Sequence, residues 1–95
     1  MSDGGPPVVK LYSRPGCHLC EEVRADLMLI AAEGVKFEVQ ELNIEAEEDL
    51  HRAYLERIPV VEIDGIEIGE LEIPRVLLRA GLERAASIAP DDSNG

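Results

Sequence analysis

Bases are scarce in this sequence. Nine lysines and arginines stand against twenty aspartates and glutamates in 95 residues, a formal net charge of −11 at pH 7. Nucleic-acid affinity is built largely from Lys and Arg contacts to phosphate, so a polyphosphate-binding surface is not expected. The same charge argues against docking on anionic membrane surfaces. Long apolar runs are missing too, and none approaches the ~20 residues that span a bilayer. Met1 to Pro7 contains no basic segment followed by an apolar stretch, so it does not read as a secretory signal. Cysteine is limited to two residues, too few for a disulfide-stapled secreted scaffold. No internal repeat or low-complexity linker divides the chain, and a sequence this short has room for one hydrophobic core. The expectation is a soluble, cytoplasmic, monomeric domain with no nucleic-acid or membrane partner.

Apolar residues make up 45% of the chain and charged residues 31%, a globular mix. The ends, 1–7 and 88–95, are rich in Gly, Pro, Asp and Ser and are expected to be flexible tails around a domain of residues 8–87. Val8 to Tyr12 is β-branched-rich and stops at Ser13-Arg14-Pro15-Gly16, which predicts a strand. Leu19, Val23, Leu27, Ile30 and Ala31 share one helical face, and Gly34 supplies a left-handed stop. Val35, Phe37 and Val39 alternate with polar residues, predicting a strand over 35–40. Glu45 to Glu56 reads as a helix with acids in its first turn, where the helix dipole favours them. Val60–Ile63 and Ile66–Ile68 flank Asp64-Gly65, a strong hairpin signal. A last helix is expected from about Pro74 to Ser87, with Gly81 as a candidate break. The order βαβαββα predicts an α/β domain with a four-stranded mixed sheet packed by helices. Its first two strands should be parallel through a right-handed crossover, and its last two antiparallel.

Cys17-His18-Leu19-Cys20 falls where the first strand hands over to the first helix. Residues three apart in a helix share a face, with side chains about 5–6 Å apart. One S–S bond can close that separation. Cys17 is placed at the helix amino terminus, where unpaired N–H groups and the dipole favour an anion. Thiols in such settings have pKa values of about 3.5–7.5. Arg14 adds positive charge nearby, while Glu21 and Glu22 oppose it. Two ordinary buried cysteines are the plain alternative, but the position after a strand and at the head of a helix favours redox chemistry. Structural zinc needs four ligands. Here there is one Cys pair, with His18 lodged between the two thiols and His51 on another helix, so no metal site is expected. Pro59 enters the third strand and extends Ile58. If the Ile58–Pro59 bond is cis, Ile58 would have an unpaired backbone able to grip an extended peptide.

The stretch Leu11-Tyr-Ser-Arg-Pro-Gly-Cys-His-Leu-Cys20 resembles the strand–loop–helix signature of the glutaredoxin branch of the thioredoxin superfamily. Arg57-Ile-Pro-Val-Val61, followed by Ile63-Asp-Gly65, is similar to that family's cis-proline segment and hairpin. The resemblance covers about residues 8–86 and is greatest to the short glutaredoxin-like proteins of bacteria. It implies a thioredoxin/glutaredoxin-like fold and a thiol–disulfide oxidoreductase with Cys17 attacking and Cys20 resolving. It also implies a substrate groove formed by Tyr12, Arg14, Arg57, Ile58 and a cis Pro59.

The chain departs from the family at two places. His18-Leu19 stands between the cysteines where Pro-Tyr is typical, and a cationic imidazole there would make the disulfide more oxidising. Ile68-Gly-Glu-Leu-Glu-Ile73 replaces the usual Gly-Gly and acidic pair, with Glu70 at the second Gly. Glu70 is expected to hinder glutathione, while Glu72 is placed to receive its amine. Glu62, Asp64, Glu67, Glu70 and Glu72 give this region five acids and no base. No tightly bound cofactor is expected, and glutathione stays open as a co-substrate. The expected partner is a disulfide-containing protein or a glutathione mixed disulfide. The alternatives are an iron–sulfur cluster shared between two copies, or a non-catalytic thioredoxin-fold adaptor.

Overall fold

The computed structural model describes residues 5–87, and the predicted tail 88–95 lies outside them, as do the first four residues of the other. Its elements run β1 (Val8–Ser13), α1 (His18–Ala32), β2 (Glu38–Asn43), a short 3₁₀ turn (Ile44–Ala46), α2 (Glu48–Tyr54), β3 (Val60–Ile63), β4 (Ile66–Glu70) and α3 (Arg75–Ser87). The sheet order is β2-β1-β3-β4. β1 runs parallel to β2 and antiparallel to β3, and β3 runs antiparallel to β4. This is the predicted four-stranded mixed sheet.

Strand alternation divides the interior in two. Val9 and Leu11 of β1 join Val61 and Ile63 of β3 on the face covered by Val23, Leu27 and Ile30 of α1 and Leu78 and Leu82 of α3. Tyr12 and Val60 point the other way, into a smaller cluster with Ile44, Ile58 and Cys20 that α2 covers with Leu50 and Tyr54. The dithiol end of α1 therefore meets the smaller cluster, and the rest of α1 packs in the larger one. Asp64 and Gly65 both have positive φ (51° and 86°), as a tight antiparallel hairpin requires. The Asp64 side chain also accepts the Val8 N–H at 2.9 Å, and the Asp64 N–H donates to the Val8 carbonyl at 2.9 Å. The hairpin tip is thus tied to the start of β1.

Several predicted boundaries move. The second strand begins at Glu38, three residues late, because pairing with β1 starts at Val8↔Glu38. Val35 and Phe37 precede it and pack on the larger core from irregular backbone. Their alternation reported burial rather than strand pairing. The helix expected from Glu45 to Glu56 is a 3₁₀ turn followed by Glu48–Tyr54. Asn43 starts the turn, its side chain accepting the Glu45 N–H at 2.8 Å, a local bond that competes with a continuous helix. Gly81 does not break α3. Its missing Cβ is what lets α3 approach the sheet, since a Cβ there would lie 2.8 Å from Ile63 Cδ1 and 3.2 Å from Ile68 Cδ1. Arg75–Asp26 (3.2 Å) and Arg79–Glu33 (2.5 Å) link α3 to α1. Among the described residues no helix is long and apolar enough to cross a membrane.

Candidate active site

Pro15 and Gly16 turn the chain from β1 into α1. Pro presets the first central position of the turn and Gly16 takes a φ of 80° at the second. The Cys17 N–H closes that turn on the Arg14 carbonyl at 3.2 Å. Cys17 is the residue that caps α1: its backbone is extended, and its Sγ accepts the Cys20 N–H at 3.2 Å. This is the geometry by which a Ser or Asp satisfies an orphan helix donor, performed here by sulfur. Cys20 follows one turn later and is fully buried, whereas Cys17 is partly exposed. The two sulfurs are joined as a disulfide across a Cα–Cα separation of 5.2 Å. The loop is buttressed from below by buried Ser13, whose hydroxyl donates to Glu41 at 2.8 Å. Arg24 of α1 also binds the Glu41 carboxylate through Nε (3.0 Å) and Nη2. Chiefly through Arg24, Glu41 is held below the usual carboxylate range, although its burial pulls the other way.

Of the other predicted site residues, Tyr12 and Ile58 pack in one apolar cluster with the two cysteines. Tyr12 is buried and stacks on Tyr54, with ring centroids 4.4 Å apart. Burial, with Glu62 and Tyr54 adding to it, pushes its phenol up to about 12 from the ordinary 10.0. The Ile58–Pro59 peptide is cis. The Ile58 N–H is not free to grip a peptide, because it donates to the Tyr54 carbonyl at the end of α2 (3.1 Å). Arg14 turns to Glu45 at 3.7 Å, and exposed His18 turns to Glu22 at 3.2 Å. Arg57 lies over the Tyr54 ring, 5.2 Å from its centroid, and pairs with both Glu67 (2.5 Å) and Glu70 (2.6 Å). The hydrogen bonds to Glu67 and Glu70 push its pKa further up. The acidic stretch after the hairpin therefore does have a base, supplied from the loop before β3.

Leu71 follows, with a φ of 66° that a side chain rarely adopts. Its N–H reaches the carbonyls of Arg57 (3.2 Å) and Pro59 (2.8 Å), which fixes it against the proline segment. Tyr54, Glu41 and Glu67 were not among the candidate residues. Tyr54 carried a signal, its one-turn spacing from Leu50. Glu41 and Glu67 reach their partners only through tertiary contacts that no local spacing displays: Glu41 meets Ser13 of β1 and Arg24 of α1, and Glu67 meets Arg57 in the loop before β3. No group of three or more His, Cys, Asp or Glu suited to a metal ion occurs among the described residues.

Solved structures place this architecture. A thioredoxin mutant from Halobacterium salinarum superposes with a TM-score of 0.65 at 18% identity, covering 90% of this chain and 80% of that one. A structural-genomics target protein from X. campestris superposes with a TM-score of 0.60 at 29% identity, covering 86% and 99%. The chain is thus a thioredoxin-fold protein with its Cys-x-x-Cys pair at disulfide distance. Residues 8–84 match the glutaredoxin-like domain (DUF836), and the chain belongs to that family. Uncharacterized proteins of Mycobacterium tuberculosis and Mycobacterium bovis are 29% identical to it over 91 residues, 90% of this chain and 93% of theirs.

Proposed function

We propose that this protein is a thiol–disulfide oxidoreductase that reduces disulfides with the Cys17–Cys20 dithiol. The supporting observation is the division of labour between the two sulfurs. Cys17 is partly exposed at the tip of α1 with its sulfur on a backbone N–H, whereas Cys20 is sealed in the apolar cluster. A donated N–H and the positive end of a helix favour thiolate over thiol at Cys17, and thiolate is the attacking species. Cys20, within reach of a single S–S bond, is placed to displace the product once Cys17 is covalently attached to it. Tyr12, Tyr54 and Ile58 pack in one cluster with the pair, and their role is to hold Cys20 inward and leave Cys17 facing reactant.

The test is reduction of hydroxyethyl disulfide and of a disulfide-bonded protein by wild type, Cys17→Ser and Cys20→Ala. Cys17→Ser should be inactive, and Cys20→Ala should accumulate a mixed disulfide. Activity that survives Cys17→Ser refutes the reading.

A further inference from the structure

The charges around the dithiol indicate what kind of disulfide it takes, given the redox reading above. Each base near the pair is matched by acid. Arg14 faces Glu45, His18 faces Glu22, and Glu41 clasps Arg24. Arg57, the base beside the proline segment, sets one positive charge against the two of Glu67 and Glu70, so that cluster is net negative with its arginine included. Glu21 and Glu72 have no ion-pair partner among the described residues. A groove of about 270 Å³ lies between Leu19, which is inside the Cys-x-x-Cys motif, and Leu71; Val23, Ile73 and Pro74 line its apolar part, and Glu22, Asp26 and Glu72 its acidic part. Leu71 is 44% exposed, and its backbone is pinned to the Arg57 and Pro59 carbonyls. This arrangement keeps an apolar side chain at the groove beside the acids.

We propose that the site selects protein disulfides flanked by lysine or arginine and an apolar side chain, and disfavours anionic partners such as glutathione mixed disulfides. A cationic residue beside the scissile bond meets Glu67, Glu70 and Glu72, while an adjacent apolar one fills the groove between Leu19 and Leu71. An anionic partner meets the same carboxylates and finds the Arg57 guanidinium already bound to two of them. In the exchange, the Cys17 thiolate attacks one substrate sulfur. A Cys17–substrate disulfide forms as the substrate S–S bond breaks, and the departing thiolate takes a proton from water. Cys20 then gives its proton to water and attacks the Cys17 sulfur. The second substrate sulfur leaves as a thiolate and takes a proton from water, two electrons have passed to the substrate, and the protein is left as the Cys17–Cys20 disulfide.

The experiment is single-turnover reduction by the pre-reduced full chain, so no further reductant takes part. Three test peptides share one sequence and one mercaptoethanol-capped cysteine, with flanking Lys, Ser or Glu. Each rate is divided by that of dithiothreitol on the same peptide. A lined, charged cleft raises association rates by about 10-fold or more. The Lys peptide should therefore outrun the Glu peptide about tenfold at low salt, with the ratio collapsing as salt screens the carboxylates. Glu67→Gln/Glu70→Gln should narrow that ratio. Because the ratio is read within one variant, a general loss of rate cancels out. Equal rates for the Lys and Glu peptides, or a faster Glu peptide, overturn the charge selection and leave the dithiol chemistry standing. Failure to reduce even the Ser peptide overturns the redox reading, and the selection with it.

Discussion

Replacing either cysteine by serine abolishes the disulfide, yet the two variants should differ in stability. Cys17 is the N-cap of α1, and its sulfur accepts the Cys20 N–H. Serine is among the best N-caps, so Cys17→Ser should keep that bond and change stability by no more than ~0.5 kcal/mol. Cys20 is fully buried among Tyr12, Ile44, Ile58 and Val60. A hydroxyl placed there leaves water for apolar side chains, at about 1–3 kcal/mol. For a domain of this size 1 kcal/mol moves the melting temperature by about 4–8 °C, so Cys20→Ser should melt roughly 5–20 °C below Cys17→Ser. Cys20→Ala, which adds no polar group, should fall between the two. The assay is thermal unfolding followed by far-ultraviolet circular dichroism in excess dithiothreitol, with reduced wild type as reference. Reduction throughout removes the disulfide's own contribution from every comparison. Equal melting temperatures for the two serine variants would refute the assignment of Cys17 as cap and Cys20 as core.

Three further outcomes follow from the packing and the charges. Gly81→Ala should destabilise the protein by roughly 1 kcal/mol in urea titration, because overpacking against Ile63 and Ile68, at about 1–3 kcal/mol, exceeds the ~1 kcal/mol of helix propensity gained. Glu41 titrates below its unfolded value in the fold, so its contribution is present above the ordinary glutamate pKa of ~4.3 and is lost as the pH falls through its folded value. The stability gap between wild type and Glu41→Gln should therefore close on acidification. Tyr12 has the opposite sense for an acid: its folded pKa of about 12 lies above 10.0, so its contribution holds below pH 10 and is lost as pH rises toward 12. Tyr12→Phe should flatten that alkaline loss, as read from unfolding midpoints across this range.

The parts of the fold legible in the sequence were those whose causes are local. Asp64-Gly65 announced a hairpin because two consecutive positive φ angles need those residue types. The spacing of Val23, Leu27 and Ile30 announced the buried face of α1. Cys17 was readable at the amino terminus of α1 because Pro15 and Gly16 end the strand just before it; that its sulfur caps the helix was not. What escaped depends on partners distant in sequence. Val35 and Phe37 alternate like a strand, but β1 offers pairing only from Glu38 onward. Gly81 looks like a helix break until β3 and β4 are seen lying against it. Arg57 read as a base waiting for substrate, and only the hairpin's return brings Glu67 and Glu70 to it. Of the Ile58 backbone, expected to be unpaired, the N–H is taken by the Tyr54 carbonyl at the end of α2.

The proposed chemistry depends most on which sulfur reacts first. The direct measurement is alkylation of the reduced protein with substoichiometric iodoacetamide slightly below neutral pH, followed by peptide mass mapping. Label should appear on Cys17 while Cys20 stays unmodified. Label on Cys20 first, or on neither cysteine until the pH reaches the range of an ordinary thiol, would contradict the assignment of Cys17 as the attacking thiolate.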